Sequence, residues 1–128
     1  MQLNALGIIS KDILESIRFY TLLGLQFDPC DKTTQHVEAT AQNGLRIMLD
    51  SEELVKSLKT HWKKPDSASI SLAFNCESPQ KVDEYFKKIT TAGFKAEKEP
   101  WDAFWGQRYA VVLDPDGNPI DLFAALAK

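Results

Sequence analysis

Trp101, Phe104, Trp105, Gln107, Tyr109, Asp121 and Phe123 bring aromatic faces, indole N–H donors, an amide, a phenol and one carboxylate into a single C-terminal stretch. Aromatic rings offer apolar area and attract cations, while N–H and O–H tips fix the orientation of whatever they hold. Asp121 adds a contact for a cationic or hydroxyl-bearing molecule. Asp121 is the lone carboxylate expected on the face that these groups share, so the set suits holding a molecule better than breaking its bonds. Structural roles compete with that reading. Asp121 would serve equally to hydrogen-bond a neighbouring Tyr or Trp, and the rings to fill a core or a dimer interface.

The elements that position these groups are legible around Asp114-Pro-Asp-Gly-Asn118. Pro115, Asp116 and Gly117 make a turn whose left-handed position is filled by glycine. Strands are expected over Arg108–Leu113 and Pro119–Ala124. Closing the loop on an Asp114–Asn118 pair sets Val111 opposite Asp121 and Tyr109 opposite Phe123. Side chains alternate along a strand, so those four share one face. Ala110, Val112, Ile120 and Leu122 fill the other, which reads as core. Arg108 has the parity of the packed face and is expected in a structural ion pair, with anion binding as the alternative.

The chain reads as the same unit twice. A strand over Leu3–Ile9 precedes a helix started by Asp12-Ile-Leu-Glu15, a capping-box-like signal. Ile13, Ile17, Tyr20 and Leu23 follow at helical spacing, and Gly24 ends the helix. Strands are expected at Leu25–Asp28, around His36–Ala41 and at Leu45–Leu49, with an Asn43-Gly44 hairpin between the last two. The second unit has a strand over Ser69–Asn75, a helix capped by Ser78-Pro79 with Val82, Tyr85, Phe86 and Ile89 as its apolar stripe, a Gly93 stop, and strands at Phe94–Lys98 and in the closing hairpin. Large Ile70, Leu72 and Phe74 should pack beneath the helices. Small Ser69, Ser71 and Ala73 should line the opposite face, where Met48 would also pad a cavity. The fold class is therefore α+β: two βαβββ modules forming a curved mixed sheet around a cavity, with helices on the outer face. One domain is expected, with module 1 at about 1–50, a linker at about 51–66 and module 2 at about 67–128. Glu52–Leu58 in the linker is a short helix candidate.

Composition narrows the partners. Fifteen basic and eighteen acidic residues give a net charge of −3, and the one dense basic cluster, Lys59 to Lys64, reads as a solvated linker. Nucleic-acid binding is disfavoured. No apolar run reaches the roughly 18 residues of a membrane span and no signal pattern opens the chain, so a cytoplasmic protein without a membrane partner is expected. Cys30 and Cys76 stand alone, which argues against a disulfide framework or a zinc knuckle. Cys76, after an apolar strand, reads as a half-buried structural thiol.

The paired βαβββ plan, with Phe19-Tyr20 before Leu23-Gly24-Leu25 and the closing Asp114-Pro-Asp-Gly-Asn-Pro-Ile-Asp-Leu, resembles the vicinal oxygen chelate superfamily, which includes glyoxalase I, extradiol dioxygenases and the fosfomycin and bleomycin resistance proteins. The resemblance covers nearly the whole chain. The Trp101-to-Tyr109 segment looks like a bacterial subset described as glyoxalase- or bleomycin-resistance-like. Metal-dependent members hold their ion with His or Glu from the first, fourth, fifth and last strands, positions matched here by Ala5, Met48, Ser69 and Asp121. Only Asp121 offers a good ligand, whereas a stable divalent site wants three or more. The resemblance thus implies a protein without metal or other cofactor that binds a small organic molecule through Trp101, Phe104, Trp105, Gln107, Tyr109, Asp121, Phe123, Met48, Ser69 and Ser71, including sequestration of an antibiotic-like compound. It also implies a homodimer. The alternatives are a metal-dependent lyase, isomerase or dioxygenase, and an interaction module whose aromatic patch binds another protein.

Overall fold

The computed structural model describes residues 1–127. The chain forms two compact units that divide at Pro65 and Asp66. No helix among the described residues is long and apolar enough to cross a membrane.

The first unit runs β1 (Ala5–Ser10), α1 (Ile13–Leu22), β2 (His36–Thr40), β3 (Arg46–Ser51) and α2 (Glu52–Leu58). Asp12 caps α1 by accepting the Glu15 N–H, and Gly24 takes the left-handed φ of +94° that ends it. The sheet order is β1-β3-β2, with β1 parallel and β2 antiparallel to β3. Ile8, Val37, Ala39, Ile47 and Leu49 alternate onto the side that packs with Ile13, Phe19, Tyr20 and Val55 of the helices. Each such buried side chain stabilises the unit by about 1.5–3 kcal/mol. In the α1 stripe, Ser16 and Phe19 are fully buried whereas Ile17 and Leu23 are half-exposed. Ser16 is accommodated by a 2.6 Å hydroxyl–hydroxyl bond to the equally buried Ser10. The segment expected as a strand at Leu25–Asp28 makes one bridge, Phe27 to Ala39, and a bond from Asp28 N–H to Glu38 O. Pro29 follows and supplies no N–H to continue.

The second unit runs β4 (Leu72–Asn75), α3 (Pro79–Thr91), β5 (Ala96–Ala103), β6 (Gln107–Leu113) and β7 (Pro119–Ala125). The order β4-β7-β6-β5 places β4 parallel to β7 at one edge and β5 antiparallel to β6 at the other. Ser78 caps α3 with Pro79 at its first turn, as its sequence signals. Val82 and Ile89 of α3 are fully buried, as are Ala110, Val112, Ile120, Leu122 and Ala124 of the sheet. The core of this unit is that α3-facing side. Cys76 is buried rather than half-buried, and burial pushes its thiol pKa up.

Candidate ligand-binding site

The closing hairpin adopts the register expected from its turn. Asp114 N–H donates to Asn118 O and Gly117 N–H to Asp114 O, each at 3.0 Å. The buried Asp114 carboxylate accepts from Asp116 N–H at 2.9 Å, and from Asn118 N–H and Asn118 Nδ2 at 2.8 Å. Gly117 takes the positive φ, +85°, that the turn requires. Val111 lies opposite Asp121 and Tyr109 opposite Phe123.

Following that register across all four strands gives two continuous rows on the face turned away from α3. One row is Asn75, Phe123, Tyr109 and Trp101. The next is Ala73, Asp121, Val111 and Lys98. A third, shorter row joins Ala103, Gln107 and Ala125. The first row is an apolar strip with polar tips; the second carries opposite charges at Asp121 and Lys98. Two strand spacings separate those two residues, about 10 Å at the backbone. Burial raises the Tyr109 phenol pKa, and the negative charge of Asp121 and a hydrogen bond to it raise it further. The phenol is therefore a neutral donor at ordinary pH. Asp121 thus lies close enough to act on the Tyr109 phenol while keeping a half-exposed carboxylate on the face.

Strand β5 is longer than expected and carries Trp101 itself. It passes through Pro100, tolerated because β5 is an edge strand whose register shifts between Lys98 and Trp101. The turn to β6 is Ala103-Phe104-Trp105-Gly106, closed by Gly106 N–H to Ala103 O, with Gly106 at φ +93°. Trp105 stands edge-on to Trp101, Phe104 and Tyr109, with centroids 5.6, 5.0 and 5.2 Å away. Its indole N–H donates to Gln107 Oε1 at 2.9 Å. Phe104 projects from the tip, 91% exposed. Arg108 points to the helix side as expected, donating through Nε and Nη2 to both Asp83 oxygens of α3 and through Nη1 to Asp102.

Several expectations are corrected. Ser69 and Ser71 precede β4, which begins only at Leu72, and both are exposed. Ile70, expected in the core, is 68% exposed. The ladder stops there because β7 starts at Pro119, which has no N–H to give. The residues that β4 contributes to the face are Ala73 and Asn75. In the first unit Met48 is half-exposed on the side away from the helices, in register with Gly7, while Ala5 pairs with Arg46. The Met48 methyl would lie 3.6 Å from a Cβ at Gly7, so it covers that glycine.

A charged network on this side of the first sheet was not anticipated. His36 Nδ1 meets Asp50 Oδ1 at 2.5 Å and Nε2 meets Glu38 Oε2 at 2.8 Å; Arg46 Nη1 donates to Glu38 Oε1 at 2.7 Å. Asp50, then Glu38, raise the His36 pKa, and His36 with Arg46 lower that of Glu38. The signal was incomplete: a two-residue Asn43-Gly44 turn would set His36 opposite Ser51, whereas the loop closes on Ala41 and Leu45 and sets it opposite Asp50, with Glu38 beside them by strand alternation.

The donor set does not fit a divalent metal. At the matched positions the first unit presents the side chains of Ala5 and Met48, and the second presents one carboxylate, Asp121. Both His36 nitrogens are engaged by carboxylates. Among the described residues no group of three or more His, Cys, Asp or Glu is arranged to hold an ion.

The family profile described as Glyoxalase/Bleomycin resistance protein/Dioxygenase superfamily matches residues 2–122. No curated protein matches the sequence. Among solved structures, a glyoxalase/bleomycin resistance protein/dioxygenase family enzyme from Burkholderia phytofirmans PsJN is similar at a TM-score of 0.86 and 20% identity, covering 98% of this chain and 100% of that one. A glyoxalase-related enzyme from Fulvimarina pelagi is similar at 0.83 and 17% identity, over 97% and 88% of the two chains. A hypothetical protein from S. aureus follows at 0.82 and 16%, over 98% and 94%. These likenesses establish the shared fold. With sheets of three and four strands consistent with paired βαβββ modules, and the profile spanning nearly all of it, the chain belongs to the glyoxalase/bleomycin resistance protein/dioxygenase superfamily.

Proposed function

We propose that the protein binds a small organic molecule without a metal ion, on the face of the second unit's sheet that carries Trp101, Tyr109, Phe123 and Asp121. The observation that carries this reading is the unbroken row Asn75–Phe123–Tyr109–Trp101, with one carboxylate in the row beside it. Rings in register give a flat apolar platform, and the phenol, amide and carboxylate around it select orientation. Binding at stoichiometric protein concentration is then the whole mechanism, as in sequestration of an antibiotic-like compound. The lyase, isomerase or dioxygenase alternative needs an ion to polarise a carbonyl or diol, and the donor set counts against it. Among the residues expected to touch the ligand, Trp105 and Gln107 adjoin the row, Phe104 stands at its rim, and Ser69 and Ser71 lie outside it.

A homodimer and a cytoplasmic setting are part of the same proposal. Protein purified without chelator should carry no stoichiometric transition metal, and Mg, Mn, Fe, Ni and Zn should each leave its melting temperature unchanged. A stoichiometric ion that is lost in Asp121→Ala overturns the proposal. Sedimentation at micromolar concentration should show a dimer; a monomer there refutes that part alone.

A further inference from the structure

Lys98 and Trp101 adjoin each other on the ligand face, and among the described residues neither has a hydrogen-bond or ion-pair partner for its polar group. The Lys98 ammonium lies 4.9 Å from the Trp101 ring centroid and enters no ion pair among the described residues. The Trp101 indole N–H is buried with no acceptor among the described residues. A buried donor without a partner is rare and costly, and it recovers that cost when an acceptor arrives. An ammonium resting on an indole face keeps its three N–H donors. Farther along the Lys98 row, beyond Val111, stands Asp121. The face therefore presents one ammonium and an indole donor from β5 and one carboxylate from β7, with the aromatic row alongside.

We infer that the ligand is a flat molecule bearing one carboxylate or other anionic oxygen, taken jointly by the Lys98 ammonium and the Trp101 indole N–H while its ring lies along the Tyr109–Phe123 row. This rests on the reading of that face as the binding surface. The Trp101 N–H is closed to solvent, so an adjacent ring must move for a ligand to reach it. Trp105 is the ring placed to do so. It packs edge-on against Trp101 from a hairpin tip, is 48% exposed, and has a single side-chain hydrogen bond, to Gln107. Glu97 and Glu99 flank Lys98 along β5, and the Glu97 charge reaches Tyr109. Their repulsion limits the corner to a single anionic group and disfavours polyphosphates.

Three matched probes test this on ¹⁵N-labelled protein: naphthalene-2-carboxylate, 2-naphthalenemethanol and 2-naphthylmethylamine. The Trp101 indole cross-peak is assigned by its loss in Trp101→Phe. The acid should bind about tenfold or more tightly than the alcohol, the factor set by a hydrogen bond to a charged group, and should move the Trp101 indole peak most. Lys98→Met should bring the acid down to the alcohol's affinity while the alcohol itself changes less than about twofold. Trp101→Phe, which keeps a ring and removes the donor, should also weaken the acid selectively. Equal binding of acid and alcohol, an acid preference that survives Lys98→Met, or a preference for the amine each overturns the inference and leaves the binding face standing. No shift at Trp101, Tyr109 or Phe123 with any probe overturns both.

Discussion

Replacing Asp114 with alanine removes the acceptor on which the closing hairpin is built. The side chain is 4% exposed and its oxygens accept three hydrogen bonds of 2.8–2.9 Å from Asp116 and Asn118. A bond to a charged group contributes about 1.5–3 kcal/mol net. The three share one carboxylate and the turn is partly wet, so they do not sum in full. Asp114→Ala should cost about 3–4 kcal/mol, a large share of an ordinary domain's 5–15 kcal/mol. Asp114→Asn keeps one oxygen for the two backbone donors, both of which use Oδ1, and loses the bond from Asn118 Nδ2. It should cost about half as much. Urea unfolding followed by tryptophan emission and by far-ultraviolet circular dichroism gives both numbers, and the transition that carries Trp101 and Trp105 is the one to shift. An Asp114→Ala cost below about 1 kcal/mol, or an asparagine as damaging as the alanine, refutes the argument that this carboxylate holds the turn.

Other consequences follow from the same geometry. His36 should titrate above its ordinary 6.5 because Asp50 and Glu38 hold the imidazolium. Its stabilising contribution is thus complete below about pH 6.5 and lost as pH rises through the raised value. Glu38 acts oppositely: its contribution is present above its ordinary 4.5 and lost as pH falls through the lowered one. An NMR titration in which His36 reads at or below 6.5 contradicts this. Arg108→Leu severs the β5–β6 hairpin from α3 at Asp83 and removes the cross-strand pair with Asp102; with those partners exposed it should cost about 1 kcal/mol, less at high salt. A salt-independent cost in denaturant melts argues for lost packing instead. Ile120→Ala should cost about 2–5 kcal/mol because the side chain is fully buried, whereas Ile70→Ser should stay within about 0.5 kcal/mol. Comparable costs at the two positions contradict the start of β4 at Leu72.

The hairpin and both long helices were legible because their signals are local: a glycine at a left-handed turn position, Ser or Asp before an apolar stripe, alternation over short strands. Register then followed by counting, and it set Tyr109, Val111, Asp121 and Phe123 on one face as observed. What failed depended on distant partners. Ser69-Ile70-Ser71 alternates like a strand, but β7 offers it only Pro119. Leu25–Asp28 has one bridging partner before Pro29. Pro100 argues against a strand through Trp101 until the edge position and shifted register of β5 are known. Lys98 and His36 were missed for a related reason. Each takes its meaning from a neighbouring strand, Lys98 from the Trp101 ring and His36 from Asp50 across the β2–β3 ladder.

Chemical-shift mapping on chelator-treated protein tests the central claim most directly. A screen of flat organic molecules against the ¹⁵N-labelled chain should find ligands whose saturable shifts cluster at Trp101, Tyr109, Asp121 and Phe123, with affinities unchanged when Mg, Mn, Ni or Zn is added. Ligands that bind only after a metal ion is restored, or whose shifts fall away from β5, β6 and β7, would contradict it.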